Sequence, residues 1–125
     1  VIEPGRIAAA AAGRPAPRIL ATRWSLHAVD EDDAWEALRS WRGLRAPGRL
    51  EAVDPQTLRE RADELTRDEV LGRYPIVSDT EALVGVYRPL VDELQADIVT
   101  FPIASLDQEA TIRLLGSEVL PQLRD

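Results

Sequence analysis

Ala96-Asp97-Ile98-Val99-Thr100-Phe101-Pro102-Ile103-Ala104 is an apolar run too short for a helix and rich in β-branched and aromatic side chains. Ile98, Val99, Phe101 and Ile103 show no polar alternation, which is how a strand buried on both faces of a parallel sheet reads. Downstream, Ser105 with Gln108 has capping-box spacing. A helix is expected to follow, burying Ile112, Leu115 and Val119 and ending before Pro121.

Working upstream, Ser78 with Glu81 repeats the capping spacing ahead of a stripe of Leu83, Val86, Tyr87, Leu90 and Leu94. Pro89 inside that stripe predicts a kink or an early break. Tyr74 to Val77 is extended but brief. Thr66 and Glu69 form a further capping box, with Val70 and Leu71 as apolar contact. Asp54-Pro55 opens a short helix through Leu65, and residues 42–53, with Gly43, Pro47 and Gly48, read as a loop. Asp30 caps a helix carrying Ala34, Leu38 and Trp41. Residues 18–29 alternate as a strand with Leu20, Trp24 and Leu26 on one face. A helix over 3–12 starts at Pro4 and is stopped by Gly13, Pro15 and Pro17.

Strand, helix, strand, helix is the order of an α/β protein with a parallel sheet. Only two strands are firm, and two strands cannot bury both faces within 125 residues. The chain therefore reads as a piece of something larger. With no methionine anywhere, Val1 is expected to be a point inside a longer protein.

Composition narrows the function. Acidic residues number 22 against 15 basic ones, and the arginines alternate with carboxylates, which argues against a nucleic-acid partner. No apolar run approaches the roughly 20 residues a bilayer demands. Ala8 to Ala12 is too short for a signal-peptide core, so a cytoplasmic location is expected. Every cation is arginine, while asparagine, cysteine and methionine are absent, a usage typical of GC-rich bacterial genomes. No thiolate, and no His/carboxylate spacing, points to a metal. Glu31, Asp32 and Asp33 fit the first turn of a helix. Trp24, Trp35 and Trp41 fit a core. His27 ends a strand, where it is expected to satisfy a loop carbonyl.

Asp97 to Ala110, with Glu118-Val-Leu-Pro-Gln-Leu-Arg124 after it, resembles the last strand and helix of luciferase-like oxidoreductases that use the deazaflavin coenzyme F420, specifically their glucose-6-phosphate dehydrogenase-like group. Trp41, Asp54-Pro55, Ala62-Asp-Glu-Leu65, Arg73 and Val77-Ser-Asp79 continue the resemblance in order over residues 18–125.

The resemblance implies an α/β chain that is the C-terminal portion of a (β/α)8 TIM barrel. Strand seven would be 18–28, an insertion on the top face 30–78, helix seven 79–95, strand eight 96–104 and helix eight 105–120. Tyr74 to Val77 would then be an extended part of the insertion and not a barrel strand. The resemblance further implies hydride transfer between F420 (FMN in some members) and a hydroxyl or hemiacetal carbon. No catalytic residue falls in this stretch. Arg49 and Arg73 sit where the group holds a sugar phosphate, one of them usually lysine there, and Leu44 where an apolar cofactor contact is expected. The expected partners are the remainder of the barrel, in the same or a separate chain, and further copies of itself. The alternative role is a non-catalytic subunit that completes a barrel.

Overall fold

The computed structural model describes residues 2–124. Helix α1 (Ile2–Ala11) buries none of its residues and stops at Gly13, whose φ of +64° only glycine adopts cheaply. The sheet begins after the proline-rich link. Strand β1 (Leu20–Thr22) pairs in parallel with β4 (Ile98–Thr100), and β2 (Ser25–His27) pairs in parallel with β5 (Ile103–Ala104). Leu20 faces Ile98 and Ser25 faces Ile103, the same offset of 78 residues, so these are two long strands, each interrupted once.

Pro102 explains the interruption. In this register the Ile98 N–H bonds the Ile19 carbonyl, and the N–H of residue 102 would bond the carbonyl of Arg23. Proline has no N–H to give. The orphaned Arg23 carbonyl accepts instead from the Tyr87 hydroxyl at 3.0 Å. The Tyr87 hydroxyl also lies 3.0 Å from Ser25 Oγ, which donates to it.

The two sides of the sheet are covered unequally. Ala21, Val99, Phe101 and Ile103 pack against α5 (Thr80–Asp92) and the C-terminal helix, in a cluster with Leu83, Tyr87, Leu90, Val119 and Leu123. On the other side Leu26, Ala28 and Ala104 lie under α2 (Glu31–Leu38) and α4 (Arg67–Leu71). Towards the start of the strands that second side is bare. Leu20 is 60% exposed and Ile98 38% exposed, with the Thr22 and Thr100 hydroxyls bonded to each other nearby. Burial on both faces, expected from the apolar run, is therefore not met within this chain, because the insertion helices reach only the last residues of each strand.

Several local expectations are corrected. Ile76–Val77 forms a third short strand, β3, parallel to Leu26–His27, because the Leu26 N–H donates to the Pro75 carbonyl and the Ala28 N–H to that of Val77. Leu20, Trp24 and Leu26 share a face but not an environment. The supposed loop from Arg42 is helical to Arg45, as a 3₁₀ turn continuing α2 from Arg39. The cap of α5 is Asp79, accepting from the Ala82 N–H, and that of α6 (Gln108–Leu114) is Asp107, accepting from Ala110. In both cases a carboxylate stands next to the helix and displaces the serine as cap. The Thr66–Glu69 box forms in full at the start of α4, and Asp54 caps α3 (Pro55–Asp63). Helix α5 runs through Pro89 to Asp92 without a break, and Leu94 lies outside its buried stripe at 41% exposure.

The C-terminal helix turns a different face inward from the one expected. Ile112 is 68% exposed and Thr111 is buried. Thr111, Leu115, Val119 and Leu123 are four residues apart, a spacing that drifts around an α-helix of 3.6 residues per turn. One wide turn over Leu115–Val119, with the Leu120 N–H on the Leu115 carbonyl, brings Val119 and Leu123 back to the sheet. Pro121 follows that wide turn directly, inside a helical run that continues as α7 (Leu120–Arg124), so the helix does not end before it.

Candidate functional site

A polar concavity with convergent side chains opens where β1 gives way to β2. It measures about 570 Å³ and is lined by Thr22, Arg23, Trp24, Arg45, Arg73, Tyr74 and Pro75, with Ala82, Gly85 and Val86 of α5 closing the far wall. Each basic residue arrives from a different element. Arg23 comes from the strand interruption and donates through Nη1 to the Val86 carbonyl at 3.3 Å. Arg45 ends the 3₁₀ turn, and Arg73 follows the Gly72 cap of α4.

Tyr74 organises the floor. It is 8% exposed and tilted against Trp24 with centroids 6.2 Å apart. The Arg45 guanidinium carbon stands 4.6 Å above its ring while Nε donates to its hydroxyl. Trp24 also meets Trp41 edge-on at 5.5 Å. Trp41 is 40% exposed, so it is not a core residue, whereas Trp35 packs on the core.

Arg73 lies in the cleft as a lining residue. Arg49 lies in the tight turn after Pro47 and Gly48, its N–H on the Ala46 carbonyl, and is not among the residues that line the cleft. Leu44 is 42% exposed on the 3₁₀ turn. The structure therefore brings Arg73 together with Arg45 and Arg23. Arg23 and Arg45 were missed in the sequence because arginine is this chain's only cation, so residue type alone carries no signal, and Tyr74 read only as the start of a brief extended stretch.

His27 is used differently from the loop tie expected of it. Its Nδ1 lies 2.7 Å from the Thr111 hydroxyl, which also contacts Ser105 Oγ at 2.9 Å and the Asp107 carbonyl at 3.0 Å. Odd-numbered residues of this strand face the outer helices, so the ring ties the end of β2 to α6. Asp32 pairs with Arg67, and Asp33 accepts from the Val29 N–H, which accounts for two members of the acidic run. Among the described residues no group of three His, Cys, Asp or Glu is placed to hold a metal, and no helix is long and apolar enough to cross a membrane.

Two perturbed groups lie outside the cleft's lining. Hydrogen bonds from the Thr66 backbone and then its side chain hold the Glu69 carboxyl below its ordinary value, helped by the charge of Arg73. Burial raises the Tyr87 phenol, opposed by the Ser25 hydrogen bond and the Arg23 charge.

No family model matches the chain. An F420-dependent glucose-6-phosphate dehydrogenase of Microbacterium testaceum is 31% identical over 97 residues, covering 76% of this chain and 29% of that enzyme. A solved F420-dependent secondary alcohol dehydrogenase in complex with an F420–acetone adduct superposes with a TM-score of 0.69 at 25% identity, covering 94% of this chain and 36% of that one. The chain thus spans about a third of the length of the proteins it resembles.

Proposed function

From a chain that is a relative of the F420-dependent dehydrogenases of luciferase-like fold, we propose the C-terminal part of a deazaflavin-dependent oxidoreductase with a TIM-barrel fold. The observation that carries this reading is the one-sided cover of the sheet. The accessible surface is 8337 Å², about a quarter above the roughly 6,600 Å² expected of a compact monomer of this mass. Part of the excess is the unburied helix α1, and part is the bare strand face at Leu20 and Ile98. Further strands beside β1 would cover that face, supplied by the same polypeptide or another chain, and self-association serves where they are missing.

In the complete barrel the insertion over residues 30–78 stands at the C-terminal ends of the strands, where barrels of this kind keep their chemistry. Its part is substrate binding: Arg73, with Arg49 from the turn after Gly48, takes the phosphate of a sugar phosphate, and Leu44 adds an apolar contact to the coenzyme. The coenzyme supplies hydride transfer, and this chain orients the carbon that gives or receives it.

The test is deazaflavin absorbance under single-turnover conditions, with the completed barrel and a panel of alcohols and sugar phosphates. The completed barrel reduces F420, while the isolated 125-residue chain neither binds it tightly nor turns over. Micromolar binding of F420 by the chain alone would refute the assignment of the cofactor site to the rest of the barrel. Turnover with FMN and not F420 would refute the deazaflavin assignment.

A further inference from the structure

We propose that β3 is a wedge between the long strand made of β1 and β2 and its next neighbour in the completed barrel. That neighbour, a parallel strand from the rest of the barrel, then pairs only along Leu20 to Trp24. This rests on the partial-barrel reading above, and adds to it the direction and the limit of the contact.

The two edges of the long strand are used differently. One is paired along its length, by β4 and then by β5. On the other, β3 takes only the last residues, in the order β3-β2-β5. The Leu26 and Ala28 N–H groups donate to the Pro75 and Val77 carbonyls, while the Ser25 N–H turns the opposite way to the Pro102 carbonyl. Backbone groups along a strand alternate between its edges in this manner. Leu20, Thr22 and Trp24 therefore present their N–H and C=O groups to the β3 edge, and among the described residues no strand lies opposite them. Such a row is a template for one more strand. Every pairing already made by the long strand is parallel, so the added strand is parallel too.

An incoming strand cannot take over the place of β3 without opening both cores. Ile76 packs on the cluster of Leu26, Val70 and Tyr74, and Val77 belongs to the other cluster with Ala21, Leu83 and Tyr87. Counting back from the Leu26–Ile76 pair puts Tyr74 level with Trp24, and their rings meet with centroids 6.2 Å apart. The incoming strand must leave the sheet at that level. It fills the cleft beside Thr22 and Trp24 and leaves the insertion wall of Arg45, Arg73 and Tyr74 at the mouth. Since strands lie about 4.8 Å apart, β3 widens the barrel by about that much at the end where barrels bind substrate. It also builds the insertion into the barrel wall, so that the insertion does not swing as a lid.

Amide hydrogen exchange followed by NMR tests this, on the chain diluted until monomeric and on the completed barrel. Carbonyl-labelled proline lets the coupling across the Leu26 N–H bond identify Pro75 as its partner. Leu26 and Ala28 should be protected, with the Pro75 coupling present, in both samples. Leu20, Thr22 and Trp24 should exchange openly in the chain alone and slow by about 100-fold or more in the completed barrel. Loss of the Pro75 coupling in the completed barrel while Leu26 stays protected would show the neighbour displacing β3, and overturns the proposal. Open exchange at Leu20, Thr22 and Trp24 in the completed barrel does so too. The two readings fail separately: a barrel that keeps these pairings but does not reduce F420 sinks only the oxidoreductase assignment, and one that reduces F420 with Pro75 displaced from Leu26 sinks only the wedge.

Discussion

The Tyr87 hydroxyl stands in for the N–H that Pro102 lacks, and a mutant cycle makes that substitution measurable. Tyr87→Phe keeps the ring, which is fully buried and 4.4 Å from Phe101 by centroids, and removes only the oxygen. Two groups lose their partner, the Arg23 carbonyl and the fully buried Ser25 hydroxyl. An orphaned buried polar group costs about 1–3 kcal/mol, and the Arg23 carbonyl is only partly buried, which sets its share at the lower end. The expected loss is about 2–3 kcal/mol, roughly 1 of it from the carbonyl. Pro102→Ala restores an N–H where the ladder needs one. It costs about 0.4–1 kcal/mol by freeing the unfolded chain, but that cost appears on both sides of the cycle and cancels.

In the Pro102→Ala background, Tyr87→Phe should therefore cost about 1 kcal/mol less than in the parent. Urea unfolding followed by tryptophan fluorescence reads this, at one fixed chain concentration because association adds to apparent stability. A Tyr87→Phe penalty unchanged by Pro102→Ala would show that the carbonyl was never the proline's orphan. Ser25→Ala should remove the remaining part, leaving the triple variant with little extra cost from the lost oxygen.

Leu20→Arg should cost the isolated chain almost nothing and reduce its self-association in light scattering, while destabilising the completed barrel by more than the about 1–2 kcal/mol that covering the leucine contributes; a compact monomeric parent with a cooperative thermal transition would count against the partial-barrel reading. In the completed enzyme, Arg49→Ala or Arg73→Ala should raise KM for a phosphorylated substrate by about 10- to 100-fold with little change in kcat, and equal effects on a non-phosphorylated substrate would remove the phosphate assignment. Stability should also depend on pH at both ends. The Glu69 carboxyl is lowered on folding, so its contribution is present above its ordinary value of 4.5 and lost as pH falls below it, and Glu69→Gln should flatten that acid limb. The Tyr87 phenol is raised, so its contribution is present below its ordinary value of 10.0 and lost as pH climbs through the folded value, a limb absent in Tyr87→Phe.

How far the sequence could be read depended on whether a signal was local. The Thr66–Glu69 box and the Asp54-Pro55 start formed as their spacing implied, since a cap involves only residues within one turn. Where serine and aspartate competed for a cap, at Asp79 and Asp107, spacing could not choose between them and the carboxylate prevailed. The inward face of the last helix was misjudged because Ile112 satisfies the hydrophobic pattern, and only the wide turn at Leu115–Val119 makes Thr111 the residue in phase with Val119. That turn has no sequence signature of its own. The parallel pairing of residues 20–27 with 98–104 was legible as two strands, but its break at Pro102 was not, because the consequence falls on a carbonyl 79 positions away in the chain.

The cleft shows the same division between what is local and what is not. Arg73 could be singled out from the sequence by resemblance, yet Arg45 and Tyr74 become interesting only when a turn, a strand interruption and α5 close around one space. Placing phosphate recognition on the insertion, and the cofactor walls elsewhere in the barrel, separates it from hydride transfer. Phosphate binding can then alter KM without touching the reacting carbon.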